Sequence, residues 1–309
     1  MNLLLTGAFK YTSEQIDKLS NLGYDITFVQ DERNPFECDC SSFDAVVCNA
    51  LFLYTSIEKF TRLKFVQATS AGLDRIPVQY IKEKGIILKN AKGVYSVPMA
   101  EWCICKILEV YKCSIFFGEN QKQHKWEKNR HLKELSGKTA VIVGAGDIGT
   151  QIAKRLCAFD VNVLAVDIVK PKLEYYNCFY DISEIDKALK ISDIVIITLP
   201  LTDSTKNLFD KKLFEKMKAE SMIINMSRGG IINEDALVWA LNNNKIAVAS
   251  LDVFEKEPLT AESKLWETSN LFISPHNSFV SENNNKRLFN VIYKNLESII
   301  KNREVSELC

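Results

Sequence analysis

Four side chains able to move charge during a reaction lie just past apolar runs of strand type. Arg228 follows Met222-Ile223-Ile224-Asn225-Met226, Glu255 and Glu257 follow Ala247-Val248-Ala249-Ser250-Leu251, and His276 follows Leu271-Phe272-Ile273-Ser274-Pro275. A guanidinium can hold a carboxylate through two parallel hydrogen bonds and still polarise the carbonyl beside it. An imidazole exchanges a proton near neutral pH, and a carboxylate bonded to it favours the imidazolium and fixes the ring's orientation. That set suits reduction of a 2-oxo acid, because a hydride arriving at the carbonyl carbon leaves negative charge on its oxygen, which calls for a positioned proton donor and cationic help. Taken singly, each residue has a plainer reading: a surface arginine, a satisfied histidine, a solvated acidic loop. Their positions count against it. Ligands of α/β proteins bind at the carboxyl ends of strands, Pro275 stiffens the approach to His276, and Gly229-Gly230 leave backbone room beside Arg228.

A hydride carrier has its own signal in Gly144-Ala145-Gly146-Asp147-Ile148-Gly149. The β-branched run Thr139-Ala140-Val141-Ile142-Val143 precedes it, and the helical spacing of Gln151-Ile152-Ala153-Lys154-Arg155-Leu156 follows it, so the glycines fall on a strand-to-helix turn. Gly144 permits the tight turn, Gly146 lets the backbone approach a pyrophosphate, and Gly149 lets helix and strand pack closely. Free N–H groups at the helix start then meet the phosphates. The next strand, Val161 to Val166, ends at Asp167, roughly twenty residues on, where a carboxylate accepts from ribose hydroxyls and repels a 2′-phosphate. NAD is therefore expected in preference to NADP, a preference that nearby Lys170 weakens slightly.

The elements that must position these groups follow from length and patterning. At 309 residues, with 47% hydrophobic, the chain suggests two domains on a prior of about 150 residues each. Lys plus Arg and Asp plus Glu both total 39, so no net field favours nucleic acid or an anionic membrane. The longest apolar runs, such as Ile194 to Leu199, fall far short of the ~20 residues a spanning helix needs. Met1 to Leu5 lacks a basic leader and reads as a first strand, which predicts a soluble, cytoplasmic protein. Nine cysteines, including Cys38-Asp39-Cys40 and Cys103-Ile104-Cys105, accompany only three histidines. Cys103, Cys105 and Cys113 read as buried thiols in a helix, so no metal site is expected.

Strand-like and helix-like segments alternate throughout, which predicts an α/β protein with parallel sheets covered by helices on both faces. Residues 1–95 carry a flavodoxin-like pattern, with strands at Leu3-Leu4-Leu5, Asp25 to Val29, Ala45 to Cys48, Phe65 to Gln67 and Ile86 to Leu88, and a helix near Ser13 to Leu22. Ser96-Val97-Pro98 opens a long helix expected to run to about Phe117, with Ser96 as N-cap and Pro98 in the first turn. The second alternation, Thr139 to His276, is the nucleotide-binding unit. Leu288, Ile292, Leu296 and Ile299 recur at helical spacing in a last helix.

In this order, the glycine turn, Ser227-Arg228-Gly229-Gly230, Asp252 to Pro258 and Ser274-Pro275-His276 resemble the D-isomer-specific 2-hydroxyacid dehydrogenases. The resemblance implies two Rossmann-like domains, with a discontinuous substrate-binding domain of residues 1–95 and 279–309 and a doubly wound NAD-binding domain of residues 96–278. The last helix would return to the first domain, and the two crossings would form a hinge. The resemblance implies Arg228, Glu257 and His276 as the catalytic residues and selects Glu257, directly before the proline, over Glu255. For the cofactor it implies Gly144, Gly146, Asp147, Ile148, Gly149 and Asp167, the loop Leu199-Pro200-Leu201-Thr202, and Asp252 as acceptor for the nicotinamide amide. The small residues of Gln67-Ala68-Thr69-Ser70-Ala71-Gly72 suit an anion nest, and by resemblance Ser70, Ala71 and Gly72 receive the substrate carboxylate. Asn90, Gly93-Val94-Tyr95-Ser96 and Ala100-Glu101-Trp102 also look like family landmarks.

The helix of residues 97–117 is implied as a homodimer element, although its apolar stripe equally suits ordinary core. Asp160 stands where many relatives have glycine, a position Asp can fill in the left-handed conformation, and Ser278 stands where Ala or Gly is common. No segment past the last helix suggests an appended regulatory domain. The leading expectation is thus an oxidoreductase passing a hydride between NAD(H) and a 2-oxo or D-2-hydroxy acid. The alternative is an NAD(H)-responsive corepressor or binding protein on the same fold, which would be expected to carry partner-recruiting appendages. Formate dehydrogenases are disfavoured because they pair the histidine with glutamine rather than Glu257.

Overall fold

The computed structural model describes residues 1–34 and 39–307, without the side chains of 302–307. The chain forms two compact units, Met1–Tyr95 with Ser281–Cys309, and Ser96–Val280.

In unit 1, strands β1 (Asn2–Thr6), β2 (Asp25–Val29), β3 (Ala45–Cys48), β4 (Phe65–Ala68) and β5 (Ile87–Lys89) form one parallel sheet in the order β2-β1-β3-β4-β5. Helices α1 (Ser13–Ser20), α2 (Leu51–Tyr54) and α3 (Val78–Glu83) connect them. Successive strand residues point to opposite faces. Leu3, Leu5, Val47 and Phe65 enter one apolar cluster, and Leu4, Val46, Cys48 and Val66 the other. That is why the strands read as unbroken apolar runs: both faces are covered. The last helix of the chain, Asn284–Glu307, supplies Leu288, Phe289, Ile292 and Leu296 to the first of these clusters.

Unit 2 begins with α4 (Ser96–Tyr111) and α5 (Ser114–Lys122). It continues through β6 (Thr139–Val143), α6 (Asp147–Cys157), β7 (Asn162–Asp167), β8 (Cys178–Asp181), α7 (Ile185–Ile191) and β9 (Ile194–Ile197). It ends with α8 (Lys211–Phe214), β10 (Met222–Asn225), α9 (Glu234–Asn242), β11 (Val248–Leu251) and β12 (Leu271–Ile273). The seven parallel strands stand in the order β12-β11-β10-β9-β6-β7-β8, so the winding reverses between β6 and β9. Such a reversal opens a crevice at the carboxyl ends of those two strands. The turns leading into β7, β11 and β12 carry left-handed residues, Asp160, Asn244 and Asn270, with φ of 56°, 52° and 60°.

Two expectations are corrected. The long helix does not run to Phe117: α4 stops at Tyr111, and Cys113, left-handed at φ 51°, starts α5 in a new direction. A left-handed cysteine is disfavoured for any L side chain, so nothing in the local pattern announced it. Of the three cysteines expected inside that helix, Cys103 is buried, but Cys105 is exposed and Cys113 only partly covered. Cys38 lies outside the described residues. Among the described residues, no cluster suits a metal ion and no helix is long and apolar enough to cross a membrane.

Candidate active site

Each glycine of the turn after β6 has a distinct steric reason. Gly144 has φ of +104°, and a β-carbon on it would stand 2.8 Å from the Leu199 nitrogen, so the turns after β6 and β9 touch at the winding reversal. Thr198 Oγ1 donates to the Gly144 carbonyl and ties the same two turns together. A β-carbon on Gly149 would lie 2.4 Å from the Gly144 carbonyl oxygen, which accounts for the close packing of α6 on β6. Gly146 faces open space and N-caps α6 without a side-chain hydrogen bond. The first-turn amides of Asp147, Ile148 and Gly149 thus remain available to an anion. The Asp147 carboxylate itself accepts from Ser96 Oγ of α4, so this residue offers a ligand its backbone.

Asp167 ends β7 beside that turn. Its Oδ2 accepts the Ala145 N–H at 2.7 Å and its Oδ1 the N–H groups of Ile168 at 2.7 Å and Val169 at 3.5 Å, so Oδ2 keeps a lone pair for a ribose hydroxyl. In the loop after β9, Leu199 is buried in the core of the unit, while Pro200 and Thr202 are exposed. Thr205 Oγ1 donates to the Pro200 carbonyl and accepts the Thr202 N–H, which fixes the loop. The site has the features a dinucleotide requires: open space over Gly146, uncapped amides and an acid at the neighbouring strand end.

Arg228 follows β10 and is steered by a residue the sequence reading passed over. Asn225, 1% exposed, accepts from the Ser227 N–H at 3.1 Å and the Ser227 hydroxyl at 2.8 Å, and donates to the Arg228 carbonyl at 2.9 Å. A polar residue inside an otherwise apolar strand was its signal. Arg228 Nη1 donates to the Ser227 carbonyl at 2.7 Å. Gly229 then packs flat on the Phe254–Glu255 peptide.

That peptide begins the loop that delivers Glu257, whose Oε1 accepts the Phe254 N–H at 3.0 Å and whose Oε2 lies 2.7 Å from His276 Nδ1. A carboxylate oxygen facing the ring makes Nδ1 the donor of this contact, in which Nε2 takes no part. Both side chains are more than a third exposed, and the Phe279 ring meets the imidazole edge-on with centroids 5.8 Å apart. Glu255 is engaged differently. Its N–H donates at 2.8 Å to Glu234, whose carboxyl burial pushes above the usual range.

Asp252 directly follows β11 and is held by the loop after β12. It has no exposed surface, and its carboxylate already accepts from Ser274 Oγ and the N–H groups of Asn277 and Ser278. Ser278 is likewise buried, and its hydroxyl has no partner among the described residues.

In unit 1, the loop after β4 turns its carbonyls away from its amides. Tyr95 Oη donates to the Thr69 carbonyl at 2.6 Å, the Ala91 N–H to that of Ser70 at 2.9 Å, Asn90 Nδ2 to that of Ala71 at 2.7 Å, and Ser70 Oγ to that of Gly72 at 2.7 Å. The amides of Ser70, Ala71 and Gly72 bond to no described residue, the arrangement of an anion nest. Burial pushes the Tyr95 phenol up, so it stays a donor.

A family model described as D-isomer specific 2-hydroxyacid dehydrogenase, NAD binding domain, matches residues 104–278 of the 309. The chain belongs to this family. It is an NAD-linked oxidoreductase of 2-hydroxy acids, a D-2-hydroxyacid dehydrogenase. A hydroxypyruvate reductase from Blautia hydrogenotrophica is 36% identical over 259 residues, which cover 81% of this chain and 79% of that protein. A D-3-phosphoglycerate dehydrogenase from Archaeoglobus fulgidus is 34% identical over 221 residues, 71% of this chain and 42% of that longer protein. Among solved structures, a D-isomer specific 2-hydroxyacid dehydrogenase family protein from Aeromonas salmonicida superposes with a TM-score of 0.83 at 27% identity, over 97% of this chain and 96% of that one. The dehydrogenase thus has its matched domain in unit 2, which holds the glycine turn, Arg228, Glu257 and His276 on one sheet.

Proposed function

We propose that the dehydrogenase interconverts a small 2-oxo acid and its D-2-hydroxy acid, with His276 exchanging the proton, Glu257 holding it and Arg228 binding and polarising the carbonyl group. The observation that carries this reading is the 2.7 Å contact of His276 Nδ1 with Glu257 Oε2, at the edge of the sheet that also bears the glycine turn. A bound NAD supplies the hydride acceptor or donor. The residues proposed to hold it are Gly144, Gly146, Asp147, Ile148 and Gly149 at the phosphates, Asp167 at the ribose, and the loop Leu199, Pro200 and Thr202. A carboxylate at Asp167 favours NAD over NADP by repelling a 2′-phosphate.

In reduction, Nε2 of the imidazolium gives its proton to the carbonyl oxygen as charge grows there, and Glu257 stabilises the cation until it does. In oxidation the neutral ring takes the proton back. The nest of Ser70, Ala71 and Gly72 in unit 1 suits the carboxylate that every 2-oxo acid carries.

The same proposal includes a homodimer formed through α4, α5 and the segment that follows, where Ile115, Phe117, Leu132 and the 97% exposed Trp126 present apolar surface. It also includes a cytoplasmic location, in keeping with the free cysteines of the described residues.

The test is NADH oxidation over a panel of 2-oxo acids headed by hydroxypyruvate and glyoxylate, with the chirality of each product assigned. Turnover with a D product is expected. Tight NADH binding without turnover on any member would move the function to nucleotide-responsive binding of a partner.

A further inference from the structure

We infer that Ser96 is a positioning residue for the cofactor's diphosphate, holding the Asp147 carboxylate away from the helix amides that the phosphates need. The inference rests on the proposed role of the glycine turn as the NAD site.

Asp147 is the first residue of α6 and the only charged one in the glycine turn. Its backbone serves an anion and its side chain opposes one. Gly146 gives the helix no side-chain cap, and the first amide bonded within the helix is that of Thr150, which donates to the Gly146 carbonyl at 2.9 Å. The amides ahead of it carry the positive end of the helix dipole, so they attract a neighbouring carboxylate as well as a phosphate. A carboxylate swung onto them takes the place of the diphosphate and also repels it.

In this protein that carboxylate is engaged elsewhere. Asp147 Oδ2 accepts from Oγ of Ser96, the first residue of α4, which is only 3% exposed. A buried hydroxyl has little water to bond instead, so its proton is committed to the carboxylate. The pairing of the two helices sets the direction of that bond. Farther along them, Arg155 of α6 donates to Glu101 of α4 at 3.3 Å, and the same guanidinium is steadied by the Gln151 carbonyl at 3.0 Å and the Gln151 side chain at 2.9 Å. Both helices belong to unit 2, so the clasp lies within one compact unit. Without the hydroxyl, the Asp147 side chain is free to turn onto the amides of its own helix.

The test measures ADP-ribose affinity by calorimetry in the unaltered protein, Ser96→Ala, Asp147→Asn and the double variant, with adenosine as the ligand that lacks phosphates. Ser96→Ala is expected to weaken ADP-ribose binding by about tenfold, the scale of a like charge a few ångströms away at a partly wetted site, with adenosine affinity changed by less than about twofold. The loss is expected to shrink at high salt, because mobile ions screen such a repulsion. In the Asp147→Asn background, where no charge is left to hold, Ser96→Ala is expected to change ADP-ribose affinity by less than about twofold. If Ser96→Ala does not fold, Ser96→Cys, close in shape and a weak donor, reads in the same direction. Equal losses with and without the Asp147 charge overturn the inference, since they make Ser96 a packing residue of α4. So does an unchanged ADP-ribose affinity in the variant that folds. Both of those results leave the NAD site standing, whereas an unaltered protein that binds no ADP-ribose overturns that reading and this inference with it.

Discussion

Gly229 lies so close to Phe254 that a β-carbon on it would stand 1.9 Å from the Phe254 carbonyl carbon and 2.4 Å from the Glu255 nitrogen. The loop that carries Arg228 and the loop that carries Glu257 are therefore pressed together, with glycine as the only residue that fits between them. Gly229→Ala forces backbone apart from backbone. The expected cost is at least the ~1–3 kcal/mol of ordinary overpacking, with a lower melting temperature and a fall in kcat/KM larger than the stability loss explains. Thermal melts and steady-state kinetics on the same sample check both.

Arg228→Lys keeps the charge and loses the planar fork. An ammonium cannot hold a carboxylate at two points or reproduce the anchor from Nη1 to the Ser227 carbonyl. Catalytic efficiency is expected to drop by about tenfold or more, as fits a lost charge-assisted hydrogen bond. Full activity in this variant would remove Arg228 from the mechanism.

His276→Ala is expected to lower turnover by roughly 10²–10⁴-fold while NADH affinity stays near that of the unaltered protein. Fluorescence titration of NADH separates the binding loss from the chemical one. A parallel loss of both would mean that the residue shapes the nucleotide site instead.

Glu257→Gln retains the shape of the pair and removes the charge that favours imidazolium. Reduction draws on that cation as the proton is given up, so kcat for a 2-oxo acid is expected to fall by about tenfold, the scale of a lost charge-assisted hydrogen bond. Steady-state kinetics showing an unaltered kcat in this variant would break the coupling assigned to the 2.7 Å contact.

Asp167→Ala removes a ribose acceptor and the repulsion of a 2′-phosphate, and it frees the Ala145 N–H. NAD binding is expected to weaken by about tenfold, in line with loss of a charged hydrogen bond, and the ratio of NAD to NADP use to fall. Equal use of both cofactors by the unaltered protein would show that this carboxylate does not select between them.

What the residue order disclosed was governed by distance along the chain. The glycine turn, its flanking strand and helix and the acid at Asp167 are local, and each was legible from steric and periodic rules. The apolar runs named the strands because both faces of each sheet are covered. The pairing of His276 with Glu257 was reachable only through family resemblance, since no spacing rule brings together the ends of two different strands. The break at Cys113 left no trace because the apolar spacing continues across it.

The left-handed turns at Asp160, Asn244 and Asn270 all enter their strands from one edge of the sheet, and every group assigned to chemistry in unit 2 sits at the other. For β7 the ordinary strand rise puts about 20 Å between the two ends. That separation suits the protein to carry cargo. A fluorophore, an affinity peptide or a surface tether grafted at these turns keeps a full strand length from the reacting atoms, so the dehydrogenase can be immobilised or labelled there with its substrate side facing the solution.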